Sequence, residues 1–373
     1  MSASSHACLT SRTPHAERPP LRSDRHPLLH KQPPLHDEQQ QPQPPFHVHP
    51  PPLPDDQSPF SNEDFLERRA LEGEPSCARK DFLKPRLRYC PFAQQLQWHA
   101  YVGHGTDGMV WKAFHNNEPY AVKVFWEAKR NDPQLYYWAP EIECQNAALL
   151  EKIRSCSQHG RILPHGNPAT REQALENLLA FSDDVQQQQR LRDLATPSTF
   201  TIENCPRLRR CYGWTIVTSR CSVQVELDDG KKKVRTLVPS MQYLAIVYEY
   251  IEESTMSQDQ DKAKRQREVQ IQLDFLWTVG FSFRLPLREV DWCGGVMLDM
   301  SVLIPPWHKR HSKRRSRPQV EKMEEVRTVE TLRRHGSLEK GIIRVKRDIQ
   351  LQSRLLGARK ERRAHRLTPS AGR

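Results

Sequence analysis

Gly103, Gly105 and Gly108, followed by Val110, form a G-x-G-x-x-G-x-V run, and Lys123 lies downstream inside Ala121-Val122-Lys123. Glycines at that spacing let a backbone loop approach phosphate oxygens without obstruction by Cβ atoms. A lysine on a neighbouring strand supplies the countercharge that phosphates require. The chemistry on offer is nucleotide binding: Gly103, Gly105, Gly108, Val110 and Ala121 around the base and phosphates, Lys123 on the phosphates.

The flanking residues decide which kind of phosphate loop this is. A dinucleotide-binding turn must open a helix. Here Met109-Val110-Trp111-Lys112-Ala113-Phe114 is rich in strand formers and ends at a turn, His115–Pro119. A Walker loop needs lysine directly after its last glycine, where this chain has Met109. Strand, glycine turn, strand, hairpin, strand is the pattern of a protein-kinase N-lobe; a tight hairpin without a ligand is the competing reading. Kinases clamp the strand lysine with a helix glutamate. The helix predicted after Asn131-Asp132-Pro133 carries Glu141, Glu143, Ala147, Leu150 and Ile153, and Glu143 is spaced to reach Lys123. Glu141 follows Pro140 at the helix start, where a carboxylate complements the dipole.

Further elements must hold these groups in place. Strands are predicted over 97–102, 210–217 and 243–251, the last suited to a kinase hinge whose backbone faces an adenine. Asp228–Lys231 reads as a hairpin turn. Residues 156–204 read as an insertion with one helix over 172–194, where Gln186–Gln189 argues against deep burial. A helix over 269–280, with Leu273, Leu276 and Trp277 apolar, would deliver the catalytic loop.

That loop is where transfer chemistry should be. A working kinase presents H-R-D-x-x-x-x-N, with the Asp as base and the Asn on Mg²⁺. Aligning Asp291 with the Asn puts Pro286 at the catalytic position and Arg288 two residues beyond. Asp299-Met300-Ser301 stands where D-F-G belongs, so Asp299 and Asp291 are the candidate Mg²⁺ ligands. Without a carboxylate at 286, transfer would rest on positioning and charge alone. No A-P-E follows, and the C-lobe is expected to be reduced.

The ends differ from the middle. Residues 1–60 hold fourteen prolines and seven histidines, and order is expected to begin near Asp81, with 1–80 disordered. Residues 309–373 carry 21 Lys+Arg against 7 Asp+Glu, while the whole chain is only +12, so the basic excess is a property of the tail. Lys309–Arg317 reads as a nucleic-acid or import-receptor contact. Nine cysteines without a C-x-x-C pair fit a reducing compartment, nucleus or cytoplasm. A polar N-terminus and no apolar run of about 18 residues leave no expected signal peptide or membrane span.

Several segments resemble a family of fungal protein-kinase-like proteins described as subunits of an inner-kinetochore complex. They are Val102–Val110, Glu143–Ala147, Leu175–Asp183, Pro206–Trp214, Leu273–Phe281 and Asp291–Met300, within roughly residues 90–308 and including the insertion. The resemblance implies a kinase-like fold, fungal origin and centromere association with kinetochore protein partners. Asn is usual where this chain has Asp291, and Phe where it has Met300.

The resulting expectation is an α+β protein of kinase-like fold, with a β-rich N-lobe and a reduced helical C-lobe over 81–308. A disordered region (1–80) and a basic tail (309–373) flank it. Its function would be that of a pseudokinase-type scaffold binding ATP, with Mg²⁺, and protein partners. An unconventional active protein kinase and a nucleic-acid-binding protein acting through the tail are the alternatives.

Overall fold

Short β-branched and aromatic runs dominate the ordered chain, and they pair well upstream of the glycine run as well as around it. The computed structural model describes residues 45–51, 60, 63–130, 137–158, 160–193, 199–227, 233–252, 258–309, 311 and 317–320. In chain order, β1 (Phe46–His49), β2 (Leu66–Ala70), the one-turn α1 (Arg79–Leu83) and β3 (Leu87–Tyr89) lead into β4 (Gln97–His104), β5 (Gly108–His115) and β6 (Glu118–Phe125). Helix α2 (Ala139–Ser157) follows, then β7 (Arg161–Leu163), α3 (Arg171–Leu179), α4 (Val185–Asp193) and β8 (Phe200–Ile202). Strands β9 (Cys211–Ser219), β10 (Val223–Leu227), β11 (Lys233–Leu237) and β12 (Gln242–Glu249) precede helix α5 (Gln258–Thr278). Four two-residue strands close the series: β13 (Ser282–Phe283), β14 (Trp292–Cys293), β15 (Val296–Met297) and β16 (Leu303–Ile304).

One large sheet organises the molecule. Its hydrogen-bonded order is β2-β3-β9-β12-β6-β5-β4, with β1 also paired to β9. Neighbours from β9 to β4 are antiparallel, whereas β2–β3 and β3–β9 are parallel, so the sheet is mixed and the class is α+β. Tyr243 to Tyr248 of β12 are buried without a break, which is why this strand reads as a continuous apolar run instead of an alternating one. Helix α2 packs against the sheet through Ala147, Leu150 and Ile153, the apolar positions expected of it.

Three boundaries differ from the sequence expectation. Order begins before Asp81: β1 pairs with β9 from Phe46↔Ser219 to His49↔Ile216, and β2 pairs with β3. Phe46 is buried, with ring centroids 4.7 Å from Trp98 and 5.7 Å from Trp111, so a single aromatic secures a four-residue strand amid prolines. The remaining Pro-, His- and Gln-rich residues up to 44 lie outside the described residues. So does the 228–231 turn, although β10 and β11 on either side of it pair antiparallel.

The insertion is part of the core. Its expected single helix is two, α3 and α4, separated where Phe181 is buried and Asp184 accepts from the Gln187 amide at 2.9 Å to start α4. Gln188 is buried too, contrary to the expectation for the glutamine run, because its amide donates to Ala180 and exchanges bonds with Ile162. Asn177 of α3 accepts from His165 N at 3.0 Å and donates to the carbonyls of His165 and Thr278, which joins the insertion to the end of α5.

The start of the basic tail also packs. His311 is buried with Nε2 3.2 Å from the Gly280 carbonyl, Arg317 pairs with Asp274 of α5 at 2.6 Å, and Val320 N donates to Gln270. Residues 310, 312–316 and 321–373 lie outside the described residues. Among the described residues no helix is long and apolar enough to cross a membrane.

If the insertion is structural, Asn177→Ala removes the partner of the buried Thr278 carbonyl and of the half-buried His165 backbone N–H and carbonyl. It should cost roughly 2 kcal/mol or more in chemical denaturation, far more than an exposed substitution such as Val185→Ala on α4.

Candidate functional site

Lys123 lies at the middle of β6, opposite Val110 on β5 and Ile246 on β12. Val122 and Val124 are wholly buried on one face, and the period of two sends Lys123 to the other. There its Nζ stands 2.5 Å from Glu143 Oε2 and 3.3 Å from Asp299 Oδ1. Glu141 is instead paired with Arg130 at 3.3 Å, so the two candidate glutamates of α2 have separate partners.

Glu143 is completely buried, and Tyr248 Oη donates to its other oxygen at 2.9 Å. Three residues further along α2, on the same helix face, Asn146 donates to the carbonyls of Met300 and Leu303 at 2.8 and 2.9 Å. One face of α2 therefore positions both the lysine and the segment after Asp299. Arg209, also buried, stacks its guanidinium 4.6 Å from the Tyr248 ring centroid and donates to the carbonyls of Glu249 and Leu298.

The charges are unevenly matched. Burial works against the Lys123 ammonium, but the carboxylates of Asp299, Glu143 and Asp107 outweigh it and raise its pKa. Burial pushes Glu143 up to about 7 despite the adjacent lysine and the Tyr248 bond, with the negative Asp299 adding to the rise. Asp299 is shifted the other way: burial opposes its charge, yet Lys123 and Ser301 hold it below the usual carboxylate range.

The glycine loop folds onto this cluster. A Cβ on Gly108 would lie 2.4 Å from the Val124 carbonyl oxygen, so glycine is required there for β5 to meet β6. Gly103 and Gly105 have no atom within 4 Å of their Cβ positions and no left-handed backbone, so the fold itself gives no reason for glycine at either. Trp126 Nε1 donates to the Gly105 carbonyl at 2.9 Å. Asp107, at the loop tip, accepts from Tyr137 Oη at 2.6 Å and from Ser301 Oγ at 3.4 Å, which carries a third carboxylate toward Lys123. Val110 is half-buried on β5 and Ala121 buried on β6, flanking Lys123 in the paired strands.

The two proposed metal ligands are not equivalent. Asp291 is buried, and Arg288 grips both its oxygens, Nη2 at 2.8 Å and Nε at 3.2 Å. Burial raises the Asp291 carboxyl, with Arg288 opposing. Lys123 and Ser301 N both donate to Asp299 Oδ1, so among the described residues these two bonds leave Oδ2 to serve a cation. One carboxylate oxygen of Asp299 thus fits Mg²⁺, while Asp291 would first have to leave Arg288. Among the described residues no three His, Cys, Asp or Glu side chains gather as a metal-holding group. Pro286 is exposed, and its side chain offers no proton acceptor.

Sequence reasoning found Lys123, Glu143 and Asp299 but not Asp107, Asn146, Tyr248 or Arg209. Two of these carried a signal: Asp107 lies inside the glycine run, and Asn146 is one helical turn from Glu143. Arg209 and Tyr248 are joined only by tertiary folding. No protein-family model and no curated protein matches this chain.

An acid whose folded pKa is raised from 4.5 to about 7 makes the native state bind the extra proton, so stability falls as pH rises through that window. Between pH 5 and 7.5 the parent should lose on the order of 2 kcal/mol from this group, measured by urea denaturation, and Glu143→Gln should flatten that slope. The glycines should separate as well. Gly108→Ala should cost about 1–3 kcal/mol through overpacking, whereas Gly103→Ala should change stability by less than about 0.5 kcal/mol.

Proposed function

We propose that this chain is a kinase-fold scaffold of pseudokinase type that binds ATP with Mg²⁺ and engages protein partners without transferring phosphate. The observation that carries the reading is Lys123 held at 2.5 Å from Glu143, a strand lysine clamped by the glutamate of the helix that follows. The surrounding topology supports it: the lysine is on the third strand of the antiparallel run β4-β5-β6, after a glycine turn joining the first two. Gly103 and Gly105, with open space at their Cβ positions, suit a loop that covers phosphates.

Nucleotide contacts fall to Gly103, Gly105, Gly108, Val110, Ala121 and Lys123, with Glu143 orienting the lysine and Asp299 Oδ2 available to Mg²⁺. The metal would neutralise phosphate charge, which also eases the excess of carboxylates around Lys123. Asp107 must move aside, because its carboxylate lies where added anionic oxygens would repel it. Pro286 removes the base, and Arg288 occupies Asp291, so transfer lacks two of its usual participants. The resemblance to fungal kinetochore proteins is the basis for proposing a nuclear setting and partners at the kinetochore.

A thermal-shift titration of the full-length protein with ATP, with and without Mg²⁺, tests nucleotide binding. The melting temperature should climb with ATP, since a ligand at 100 times its Kd adds about 2.7 kcal/mol to the folded state. Lys123→Met should abolish the climb, and Asp107→Ala should move it to lower ATP concentrations. Folded parent protein indifferent to millimolar ATP would overturn nucleotide binding. Phosphate incorporation that disappears in Lys123→Met and Asp299→Asn would make the protein an unconventional active kinase instead.

A further inference from the structure

Away from the Lys123 cluster, two cysteines far apart in sequence meet at the far end of α2. Cys156, in the last turn of the helix, donates its thiol hydrogen to the sulfur of Cys77, with the two sulfurs 2.7 Å apart. Cys77 belongs to the stretch between β2 and α1 and is half-exposed, whereas Cys156 is buried. That stretch is fixed from several sides. Lys152 donates to the Ser76 carbonyl at 2.7 Å, Asp183 N donates to the Cys77 carbonyl at 2.9 Å, and Arg88 holds the carbonyls of Glu72 and Gly73. On the other side Arg161 Nε donates to the Cys156 carbonyl at 3.1 Å. Both sulfurs are therefore held by rigid surroundings and do not meet through a floppy loop.

We propose that Cys77 and Cys156 form a reversible thiol–disulfide couple, with Cys77 the attacking thiol and Cys156 the resolving one. The oxidant is a low-molecular-weight disulfide of the glutathione class. The Cys77 thiolate attacks one sulfur of that disulfide and expels a first thiolate, leaving a mixed disulfide on Cys77. Cys156 then gives up its proton, to the expelled thiolate or to water, and attacks the Cys77 sulfur. The second small thiolate leaves. Two protein thiols are oxidised to one disulfide, and one small disulfide is reduced to two thiols.

Exposure and charge favour this order of attack, Cys77 being half-exposed and Cys156 buried, and the separation favours the bond itself. Bringing the sulfurs from 2.7 Å to bonding distance needs a movement of only about 0.7 Å. The Cys156 hydrogen bond lowers the Cys77 pKa, burial opposes that, and the Lys152 and Arg161 charges add to the lowering while Asp183 resists it. Cys156 is shifted upward, by the bond it donates and by burial, which keeps it protonated until Cys77 has reacted. A cavity of about 50 Å³ opens beside Pro75 and Ser76, its wall mixing the cations Arg69, Arg88 and Lys152 with the acids Glu67, Asp81 and Glu151. In a reducing compartment the bond would be conditional, and when formed it fastens the end of the helix that carries Glu143. The couple stands whether or not the chain binds a nucleotide.

The test uses the full-length, fully reduced protein in buffers of rising glutathione-disulfide fraction, trapped with N-ethylmaleimide and mapped by peptide mass spectrometry. A Cys77–Cys156 linked peptide should appear before links among the other seven cysteines and should vanish on adding dithiothreitol. In Cys156→Ser, glutathione should stay on Cys77 as a mixed disulfide. Folded parent protein with both cysteines still capped by maleimide at the most oxidising ratio would overturn the proposal. So would stable glutathione on Cys77 of the parent, because it would show that Cys156 does not resolve it.

Discussion

An ammonium group cannot leave water without charged partners, and Lys123 leaves it between Glu143 and Asp299. Satisfying that one cation ties helix α2, the central strands of the sheet and the segment around Asp299 together. Glu143 brings α2, and Tyr248, which donates to Glu143, brings the central strand β12. Arg209 lies over Tyr248 and bonds to Leu298, whose neighbour Asp299 returns to the lysine. The contacts make a closed ring, so a shift at any member is felt by the others. Such rings are costly when half-satisfied and specific when complete.

The ring pairs two cations, Lys123 and Arg209, with two carboxylates, Glu143 and Asp299, and Asp107 beside it tips the balance to the negative side. One buried ammonium faces Glu143 and Asp299 directly and Asp107 at the loop tip. Glu143, having no exposure to solvent, is the member that most readily accepts a proton. A site so arranged favours added positive charge, whether a proton or a divalent cation, over a bare polyanion. Arg288 lies close enough to help, but it is committed to Asp291.

Local rules made the core of this legible in the sequence. Strand runs on both sides of the glycines, the lysine within Ala121-Val122-Lys123 and a helix bearing Glu143 each obey periodicity and spacing. The parts that escaped are those decided by distant chain. Nothing local indicates that Phe46 finds Trp98 and Trp111, and the prolines around it point the other way. The Gln186–Gln189 run looked solvated because glutamine is polar, yet Gln188 is inside because Ile162 and Ala180 satisfy its amide. Pairing Asp291 with a metal followed from aligning it with the metal-binding Asn of a kinase catalytic loop. The side chain three residues before it, Arg288, made the difference.

The pairing of β1 with β9 also bears on how the chain is made. Phe46–His49 finds its partner at Ile216–Ser219, and the β2–β3 pair abuts the same strand at Trp214. Phe46–His49 therefore has no backbone partner until about 170 further residues are synthesised, on the order of ten seconds or more at ordinary elongation rates. Trp98 and Trp111, which bury Phe46, emerge within that interval, but the backbone partner of Phe46–His49 does not. Completion of this sheet is accordingly a late event in synthesis, set by the arrival of β12, which joins β9 to β6, and not by the N-terminal residues themselves.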